Sequence, residues 1–354
     1  MRNILIFSRT LLIGGAEKQA ILLTKLLKDI YPTQLVVLHK LIDQKHQDLL
    51  EEYDIDVTFL EGNVLQKVIT LIGILRQARI DVIFCYLASN NLYGAIAGKL
   101  SGVPNIIGGI RSSVIPIHKF ILQRLFHNYV FRYTIFNNHA GKKALVQRGF
   151  KKAISYVIPN CIEIKSSLIH RKKKRVVKVV SVSRFVPVKD YYTSLKALDF
   201  LLSITNSEVI VRYDIIGYGE LENEIQSWVS ELGLEEHVKL VLNPENLNDF
   251  YERSDIYLST SIREGMSNSI MEAMGYSLPV VATDVGDNKY LVEEGVNGYL
   301  CEVGNYKQIA FRLNELIRNH KLRSEMGTRS YERIKSHYSM DAFQRSYREF
   351  IDRL

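Results

Sequence analysis

The feature that most constrains the fold of this 354-residue chain is a regular alternation of short apolar segments with longer segments of helical periodicity. Short apolar runs bounded by turn residues are typical of buried strands, whereas apolar residues at every third or fourth position predict helices with one buried face. A continued alternation of the two predicts parallel sheets that are covered by helices on both faces. The sequence therefore predicts an α/β protein.

The alternation occurs in two sets. In the first set we predict strands at 3–8, 34–39, 56–60, 81–87 and 105–110, with helices at 14–29 and 95–102. In the second set we predict strands at 176–183, 211–217, 238–242, 255–261 and 279–283, and the last stretch, 306–354, has a helical pattern. A chain of this length exceeds the usual size of one core, which favours two domains.

A basic run, HRKKKR at 170–175, separates the two sets. Such runs are usually solvated and lie at exposed boundaries, so we place a linker near 162–175. The predicted division is an N-terminal Rossmann-like domain at 1–165, a C-terminal domain at 166–335, and a helix at 336–354 that could return to the N-terminal domain. Two such domains that face each other would leave a cleft at the carboxyl ends of their strands, where doubly wound sheets bind ligands.

Cysteine usage and hydropathy indicate the compartment. Cys85, Cys161 and Cys301 are too widely spaced for a metal cluster or a disulfide framework, which indicates a reducing compartment. Arg9 interrupts the first apolar run, so a buried strand is favoured over a signal peptide. No apolar run is long enough to cross a membrane. We expect a cytoplasmic protein, either soluble or peripheral on the inner face of the cell membrane.

The net charge of +8 and the pI of about 9.1 predict attraction to anions. Phosphate-bearing substrates, anionic lipid and nucleic acid all fit this charge. Nucleic acid is the weakest of the three, because the sequence has neither zinc-finger spacing nor an RNP-like aromatic motif. The basic and aromatic stretch at 118–133 is predicted to be a helix that covers the N-terminal sheet and runs into the next strand. An anionic membrane surface is an alternative partner for one of its faces.

The segment REGMSNSIMEAMG, residues 263–275, lies between two predicted strands and forms a strand-loop-helix-strand unit. Glu264 falls in the loop, the helix is expected to begin near 267–269, and Glu272 lies further along that helix. The amides of a helix N-terminus attract phosphate, and carboxylates accept hydrogen bonds from sugar hydroxyls. The segment therefore fits a sugar nucleotide.

These residues carry a family resemblance. The two glutamates, followed by AMGYSLPVVATDVGDNKYLVEEGVNGYL at 273–300, resemble the retaining family-4 glycosyltransferases of the GT-B fold. Similar motifs occur in the family's order at GGAEKQ (14–19), VIPN (157–160), SVSRFVPVKDY (181–191) and IIGYGELE (215–222). The resemblance implies two Rossmann-like domains that face each other across a cleft, and a nucleoside diphosphate sugar as donor.

The resemblance also implies roles for individual residues. Arg184 and Lys189 would hold the leaving diphosphate, and Glu264 would contact the donor sugar. These three are the expected catalytic residues. Glu272 would bind the ribose. The remaining donor-binding residues would be Gly14, Gly15, Asn160, Gly217, Gly265, Met266, Ser267 and Asn268.

On the acceptor side, this sequence departs from many relatives. The segment CYLASNNLYG at 85–94 has no histidine where relatives carry one. Asn90, Asn91 and Arg111 are the candidates to position the acceptor in its place. The resemblance implies a metal-independent reaction without a cofactor. The fragment DID at 54–56 resembles a metal motif of another class, but it is more simply a short acidic turn.

The expected activity is transfer of a hexose-type sugar from a nucleoside diphosphate sugar to a glycan or polyprenyl-linked glycan, with retention at the anomeric carbon, in surface polysaccharide biosynthesis (capsule or lipopolysaccharide). The alternative is a non-catalytic GT-B scaffold that binds a nucleotide sugar or a protein partner. The absent histidine favours the scaffold. The presence of Arg184, Lys189, Glu264 and Glu272 together favours the enzyme.

Overall fold

A computed structural model describes residues 1–12, 14–111, 115–164, 167–205 and 209–354, without the side chains of residues 88 and 118. The chain forms two compact units. The N-terminal unit comprises Met1–Cys161 and Met340–Leu354, and the C-terminal unit comprises Ile162–Ser339. The first boundary therefore lies at 161/162 instead of the predicted 165/166, and the final segment starts at 340 instead of 336. Within the predicted linker, residues 165 and 166 lie outside the described ranges.

The N-terminal unit is a parallel sheet with helices between successive strands. In chain order its elements are β1 (Ile4–Ser8), α1 (Gly15–Lys28), β2 (Thr33–Val37), α2 (Gln44–Glu52), β3 (Val57–Phe59), α3 (Val64–Gln77), β4 (Val82–Cys85), α4 (Leu87–Ser101), β5 (Asn105–Ile110), α5 (Ile117–Tyr129), β6 (Tyr133–Phe136), α6 (His139–Gln147) and β7 (Ser155–Val157). The strand order is β3-β2-β1-β4-β5-β6-β7. The order reverses between β1 and β4.

The C-terminal unit repeats this architecture. Its elements are β8 (Val176–Val182), α7 (Tyr191–Ile204), β9 (Ile210–Gly217), α8 (Glu222–Glu231), β10 (Val238–Leu242), α9 (Asn248–Arg253), β11 (Ile256–Ser259), α10 (Asn268–Gly275), β12 (Val280–Thr283), α11 (Asn288–Leu291), β13 (Gly298–Cys301), α12 (Tyr306–Arg318) and α13 (His320–His337). The strand order β10-β9-β8-β11-β12-β13 reverses between β8 and β11. Both units are thus Rossmann-like, as predicted.

The last helix, α14 (Met340–Asp352), belongs to the N-terminal unit. Its apolar side chains at 343, 347, 350 and 351 are buried in the same core as β1, β4 and α1. The ring of Phe350 lies 5.5 Å from Tyr133 and 5.2 Å from Tyr156, in edge-to-face geometry. The helix therefore closes one face of the N-terminal sheet.

The strands predicted by range are all present, with ends that shift by a few residues. No range was predicted for β6, which was expected only as the strand after the helix at 118–133, and β7 and β13 were not predicted. Their sequences, YTIF, SYV and GYLC, are three or four residues long and carry polar residues, so they lack the longer apolar run typical of a buried strand. The predicted strand at 81–87 ends at Cys85, because helix α4 already begins at Leu87. Gly102 ends α4 in the left-handed conformation, with φ of 73°, as its position suggested.

Candidate active site

The carboxyl edge of the C-terminal sheet gathers three predicted motifs at the reversal of strand order. The SRFVPVK segment follows β8, the glycine pair of IIGYGE closes β9, and REG follows β11. Because β8 and β11 are adjacent strands, the loops that follow them meet at this edge. This is the position where open α/β sheets bind ligands.

Lys189 and Glu264, which the sequence places 75 residues apart, form an ion pair here. The Lys189 ammonium lies 2.5 Å from Oε1 of Glu264, and both side chains are largely buried. The Ser261 hydroxyl donates a second hydrogen bond to the same oxygen, at 2.7 Å. Within the described ranges, Oε2 of Glu264 has no hydrogen-bond partner. The carboxylate is held rigidly through one oxygen and presents the other.

A neighbouring loop fixes the backbone around Glu264. Gly286 has φ of 56°, and a Cβ at this position would lie 2.2 Å from the carbonyl oxygen of Glu264. Asp287 donates its backbone N–H to the Gly265 carbonyl at 3.0 Å. Only glycine permits both this conformation and this approach, which explains the glycine of the DVGDNK segment.

Helix α10 begins at Asn268, as predicted, with Ser267 as the N-cap residue. The Ser267 side chain makes no capping hydrogen bond. Met266 is buried in the core of the unit, so this residue can offer a ligand only its backbone. The start of α10 lies directly after Gly265, and a helix N-terminus favours an anion.

Glu272 lies one turn into α10, and its Oε2 accepts a hydrogen bond of 3.2 Å from the Tyr251 hydroxyl. Burial raises the pKa of Tyr251 well above its ordinary value, and the negative charge of Glu272 raises it further. Tyr251 therefore stays protonated and donates to the carboxylate. The ring of Tyr251 stacks on Tyr276 at 5.4 Å, which fixes its position.

Arg184 and Gly217 lie on the two loops beside this pair. A Cβ on Gly217 would lie 1.9 Å from the Ser183 carbonyl oxygen, so the loops after β8 and β9 touch through this glycine. Phe185 donates its backbone N–H to the Tyr218 carbonyl at 2.7 Å and locks the contact. The side chain of Arg184 is exposed, and the ion pairs described for this unit do not include it.

The interpretation of HRKKKR as a solvated run is wrong for Arg171. Its guanidinium donates to four backbone carbonyls of α9 and the end of α10, those of Tyr251, Ser254, Tyr276 and Ser277. Burial lowers its pKa to about 10. Arg171 therefore fixes the elements that carry Tyr251 and Glu272, whereas residues 172–175 are exposed. Composition gave no signal that one residue of the run differs from the others.

In the N-terminal unit, Gly14 is the N-cap residue of α1 in an extended conformation, and Gly15 is the first helical residue. The same motif supplies a contact that was not predicted. The Gln19 side chain donates to the Cys161 carbonyl at 2.7 Å and accepts from the Cys161 N–H at 2.9 Å. Gln19 therefore fixes the loop that carries Asn160. Its place within GGAEKQ was the only available signal.

Asn160 and Arg111, which were predicted to contact the donor and the acceptor respectively, are hydrogen-bonded to each other. Nη1 of Arg111 donates to Oδ1 of Asn160 at 3.2 Å, and Asn137 approaches the same oxygen at 3.5 Å. The Arg111 guanidinium also lies over the Tyr86 ring, 4.3 Å from its centroid. These residues follow β5, β6, β7 and β4 and form one polar cluster at the carboxyl edge of the N-terminal sheet.

Asn91 has a structural role in place of the predicted contact with an acceptor. It is fully buried, donates to Gly109 O and Gln123 Oε1 at 3.1 and 2.6 Å, and accepts from Gly109 N–H at 3.0 Å. These three hydrogen bonds of the Asn91 amide hold α4 against β5 and α5. Asn90 is also fully buried, and its Nδ2 has no partner among the described residues. Arg111, the third acceptor candidate, lines a cavity.

Among the described residues, no group of three or more His, Cys, Asp or Glu side chains could hold a metal ion. Asp54 and Asp56 of the DID fragment are exposed, and Asp54 lies 3.8 Å from Lys28. None of the helices in these ranges has the length and apolar character that a membrane crossing requires.

The fold is shared with glycosyltransferases of the GT-B class. The structure of Anabaena HepE in complex with UDP superposes with a TM-score of 0.85 over 99% of this chain and 100% of that chain, at 21% identity. Two Rossmann-like units, each with a reversal of strand order in its parallel sheet, are the architecture of this class.

The sequence match concerns the C-terminal unit. Residues 163–333 match the family model described as glycosyl transferases group 1. An uncharacterized glycosyltransferase from Haemophilus influenzae is 30% identical over 198 residues, which are 53% of this chain and 53% of that protein. An Escherichia coli UDP-Gal:α-D-GlcNAc-diphosphoundecaprenol α-1,3-galactosyltransferase is 22% identical over 279 residues, which are 72% of this chain and 70% of that protein. The chain spans about half the length of the first of these relatives.

Proposed function

We propose that this chain transfers a hexose-type sugar from a nucleoside diphosphate sugar to a glycan or lipid-linked glycan acceptor, with retention at the anomeric carbon and without a metal ion. The observation that carries the proposal is the Lys189–Glu264 ion pair beside the start of α10, with Glu272 one turn further along. Cation, carboxylates and helix N-terminus together fit the phosphates and hydroxyls of a sugar nucleotide. The UDP bound to HepE and the UDP-Gal of the E. coli relative support this donor class.

Arg184 and Lys189 would act on the leaving group. When the anomeric bond breaks, negative charge develops on the departing diphosphate, and fixed cations stabilise that charge most strongly in the transition state. Lys189 is already fixed by Glu264, so it needs little reorganisation. Because two protein cations and a helix N-terminus would neutralise the diphosphate, the proposed reaction assigns no step to a metal.

Glu264 would orient the donor sugar. Its Oε1 already receives hydrogen bonds from Lys189 and Ser261, which leaves Oε2 to accept from a sugar hydroxyl. Glu272 would accept from the ribose hydroxyls while Tyr251 holds it in position. Donor recognition would thus use one carboxylate for each sugar ring, at the two ends of the diphosphate.

The donor site is tested by a thermal-shift panel of UDP, GDP, ADP and their common sugar conjugates, against wild type and Glu272→Ala. A ligand at a hundredfold excess over its dissociation constant adds about 2.7 kcal/mol to the free energy of unfolding, which is readily measured. We expect one nucleotide to stabilise the wild type and to lose most of that effect in the variant. Glu325→Ala, an exposed residue of α13, is the matched control. If no nucleotide shifts the wild type, the donor site is wrong.

A lipid-linked acceptor would require the protein to reach a membrane surface, and α5 offers a face for this contact. One side of α5 buries Phe120, Gln123 and His127 against the unit. The other side exposes five apolar residues to solvent, Ile117 (68% exposed), Ile121 (55%), Leu122 (37%), Leu125 (47%) and Tyr129 (75%). Lys119 and Arg124 are exposed on either flank of this apolar stripe. An apolar face bordered by cations suits the interface of an anionic bilayer.

The charge distribution favours the same surface. The N-terminal unit contains 23 Lys and Arg against 13 Asp and Glu, a net charge of +10, whereas the C-terminal unit contains 23 against 25, a net charge of −2. From residue 82 to residue 162 the sequence has no Asp or Glu, but has ten Lys and Arg. The surplus positive charge of the chain therefore resides in the unit that carries α5, and it would attract anionic lipid.

Vesicle co-sedimentation tests this contact. We expect the protein to bind vesicles that contain phosphatidylglycerol, to bind vesicles of phosphatidylcholine alone more weakly, and to lose about tenfold in affinity when Ile121→Gln and Leu125→Gln are combined. The matched control is Phe311→Gln on α12, which removes a similarly exposed apolar residue from the C-terminal unit. Equal binding by the α5 double variant and the wild type would exclude α5 as the membrane contact.

A further inference from the structure

A cavity of about 440 Å³ lies within the N-terminal unit. It opens at the carboxyl edge of the sheet, where the strand order reverses between β1 and β4, and its volume is in the range of small-molecule sites. Its polar lining comes from the loops after β1, β2 and β5 and from the helices α4 and α5, and consists of Arg9, His39, Ser89, Arg111, Lys119 and Gln123. Tyr93 and several aliphatic residues complete the wall.

The charge of this lining is entirely positive. Arg9, Arg111 and Lys119 all contribute, and none of the lining residues is Asp or Glu. The ion pairs described for this unit, across the ranges that the structure covers, are Lys28–Asp54, Lys40–Glu61 and His46–Asp43, and none of them involves these three cations. An anion in the cavity would therefore find cations that no carboxylate of the unit already neutralises.

Two of the basic groups are held in place before any ligand arrives. Arg111 is fixed by the Tyr86 ring and by Asn160. His39 lies 3.2 Å from the Lys67 ammonium, which itself donates to the Leu38 carbonyl at 2.7 Å. Burial lowers the pKa of His39, and the nearby charges of Lys67 and Arg9 lower it further, as expected in a positive field. The site is thus both positive and preorganised.

We propose that this basic pocket (Arg9, His39, Arg111 and Lys119) binds a phosphate group of the acceptor, so that the acceptor of the proposed transfer is a phosphate-bearing molecule. The identification of this ligand as the acceptor rests on the proposed function, but phosphate binding itself can be tested without turnover. Three full cations exceed what a single carboxylate needs, whereas they match the charge of a diphosphate or of closely spaced phosphodiesters. A neutral glycan would leave them without counter-charge.

The position of Lys119 links the basic pocket to the apolar stripe of α5. Lys119 lines the cavity and also flanks the stripe, and Pro116 and Gln123 extend the cavity wall along the same helix. A molecule with a phosphate next to an alkyl chain could therefore bind both features at once. A polyol-phosphate chain would use the basic pocket alone. Both molecules carry the phosphate that the site recognises, and experiment separates them.

Isothermal titration of the 354-residue protein, saturated with UDP to block the donor site, tests the proposal with three probes. The probes are citronellyl diphosphate, glycerol 3-phosphate and the phosphate-free octyl glucoside. We expect the phosphates to bind, the binding to weaken as salt rises, and Arg9→Gln and Lys119→Gln each to weaken it by about tenfold. Lys40→Gln, an exposed cation next to His39 that does not line the cavity, should leave binding unchanged.

The outcomes separate the two sources and the two proposals. Tighter binding of the diphosphate than of glycerol 3-phosphate assigns the site to a lipid-linked diphosphate, and equal binding assigns it to a polyol-phosphate chain. If octyl glucoside binds as well as the phosphates, or if neither pocket variant weakens phosphate binding, the proposal is overturned. The stabilisation by UDP is also measured for the wild type and each variant. If UDP does not stabilise the wild type, the proposed donor site is refuted. If UDP stabilises the wild type but the phosphate probes do not bind, only the basic pocket is refuted.

Discussion

Among individual residues, Lys189 has the most specific expected role, because it is a partly buried cation already paired with a carboxylate at the proposed site of bond cleavage. Replacement of Lys189 by Ala should lower kcat/KM by about 100- to 1000-fold, since one preorganised contact to the developing charge is lost. The measurement is initial-rate transfer, or donor hydrolysis, with the donor that the thermal-shift panel identifies. Lys174→Ala, at an exposed position of the basic run, should retain wild-type rates.

Glu272 and Tyr251 are expected to contribute unequally to nucleotide affinity. Glu272→Gln should raise the dissociation constant for the nucleotide by about tenfold, because an ionised acceptor for the ribose hydroxyls becomes a neutral one. Tyr251→Phe keeps the ring stacked on Tyr276 and removes only the hydroxyl, so its effect should be in the same direction but smaller. Titration calorimetry with the bare nucleotide measures both. A larger loss in Tyr251→Phe than in Glu272→Gln would contradict this order of roles.

Among the helices, α5 is held to the sheet through a buried histidine, His127. His127 is fully buried, its Nδ1 lies 2.8 Å from the Thr134 hydroxyl, and its Nε2 donates to the Lys151 carbonyl at 3.0 Å. Burial lowers its pKa to about 4, the hydrogen bond to Lys151 O opposes this shift, and the charge of Lys151 adds to it.

This pKa shift predicts a dependence of stability on pH. Between pH 6.5 and pH 4 the unfolded chain binds a proton at His127 that the folded chain does not, so acidification favours unfolding. The contribution is fully present above pH 6.5 and amounts to about 3 kcal/mol when it is lost towards pH 4. Denaturant unfolding of wild type and His127→Gln across this range should show a shallower pH dependence in the variant. Parallel pH profiles would mean that His127 does not titrate as predicted.

Asn91 should also contribute to stability, because its hydrogen bonds join α4 to β5 and α5. Asn91→Ala removes the three buried hydrogen bonds that Asn91 makes with Gly109 and Gln123, which should lower the free energy of unfolding by about 2 to 3 kcal/mol. Lys99→Ala, at an exposed position of the same helix, should change it by less than about 0.5 kcal/mol. Chemical denaturation measures both. A loss of activity in Asn91→Ala without any loss of stability would return Asn91 to the acceptor site.

At the scale of the whole molecule, the two units have separate cores, so unfolding should show separate contributions. Phe350→Ala in α14 removes a ring that contacts Phe84, Tyr133 and Tyr156, and should destabilise the N-terminal unit by about 3 to 5 kcal/mol. A bound nucleotide should stabilise the C-terminal unit. In calorimetric scans, Phe350→Ala and nucleotide should therefore shift different parts of the unfolding transition. Arg348→Ala, at an exposed position of α14, is the control.

The fold class could be predicted from sequence because it depends on local patterns, and so could the position of the proposed donor residues at one edge of a sheet. Alternating apolar periodicity specified two parallel sheets, and the segments that carry Arg184, Glu264 and Glu272 follow strands whose carboxyl ends meet at one edge. The ranges of three short strands escaped prediction because their few residues carry no periodicity.

Tertiary structure alone decided the contacts between residues distant in sequence. In the folded protein Lys189 pairs with Glu264, and Arg171 donates hydrogen bonds to the backbone at the ends of α9 and α10. His127 and Asn91 are buried, and Arg111 lines a cavity. The physical reason is that local sequence sets backbone preference and which side chains avoid water. Whether a polar side chain meets a partner, a ligand or solvent depends on neighbours that only the completed fold supplies.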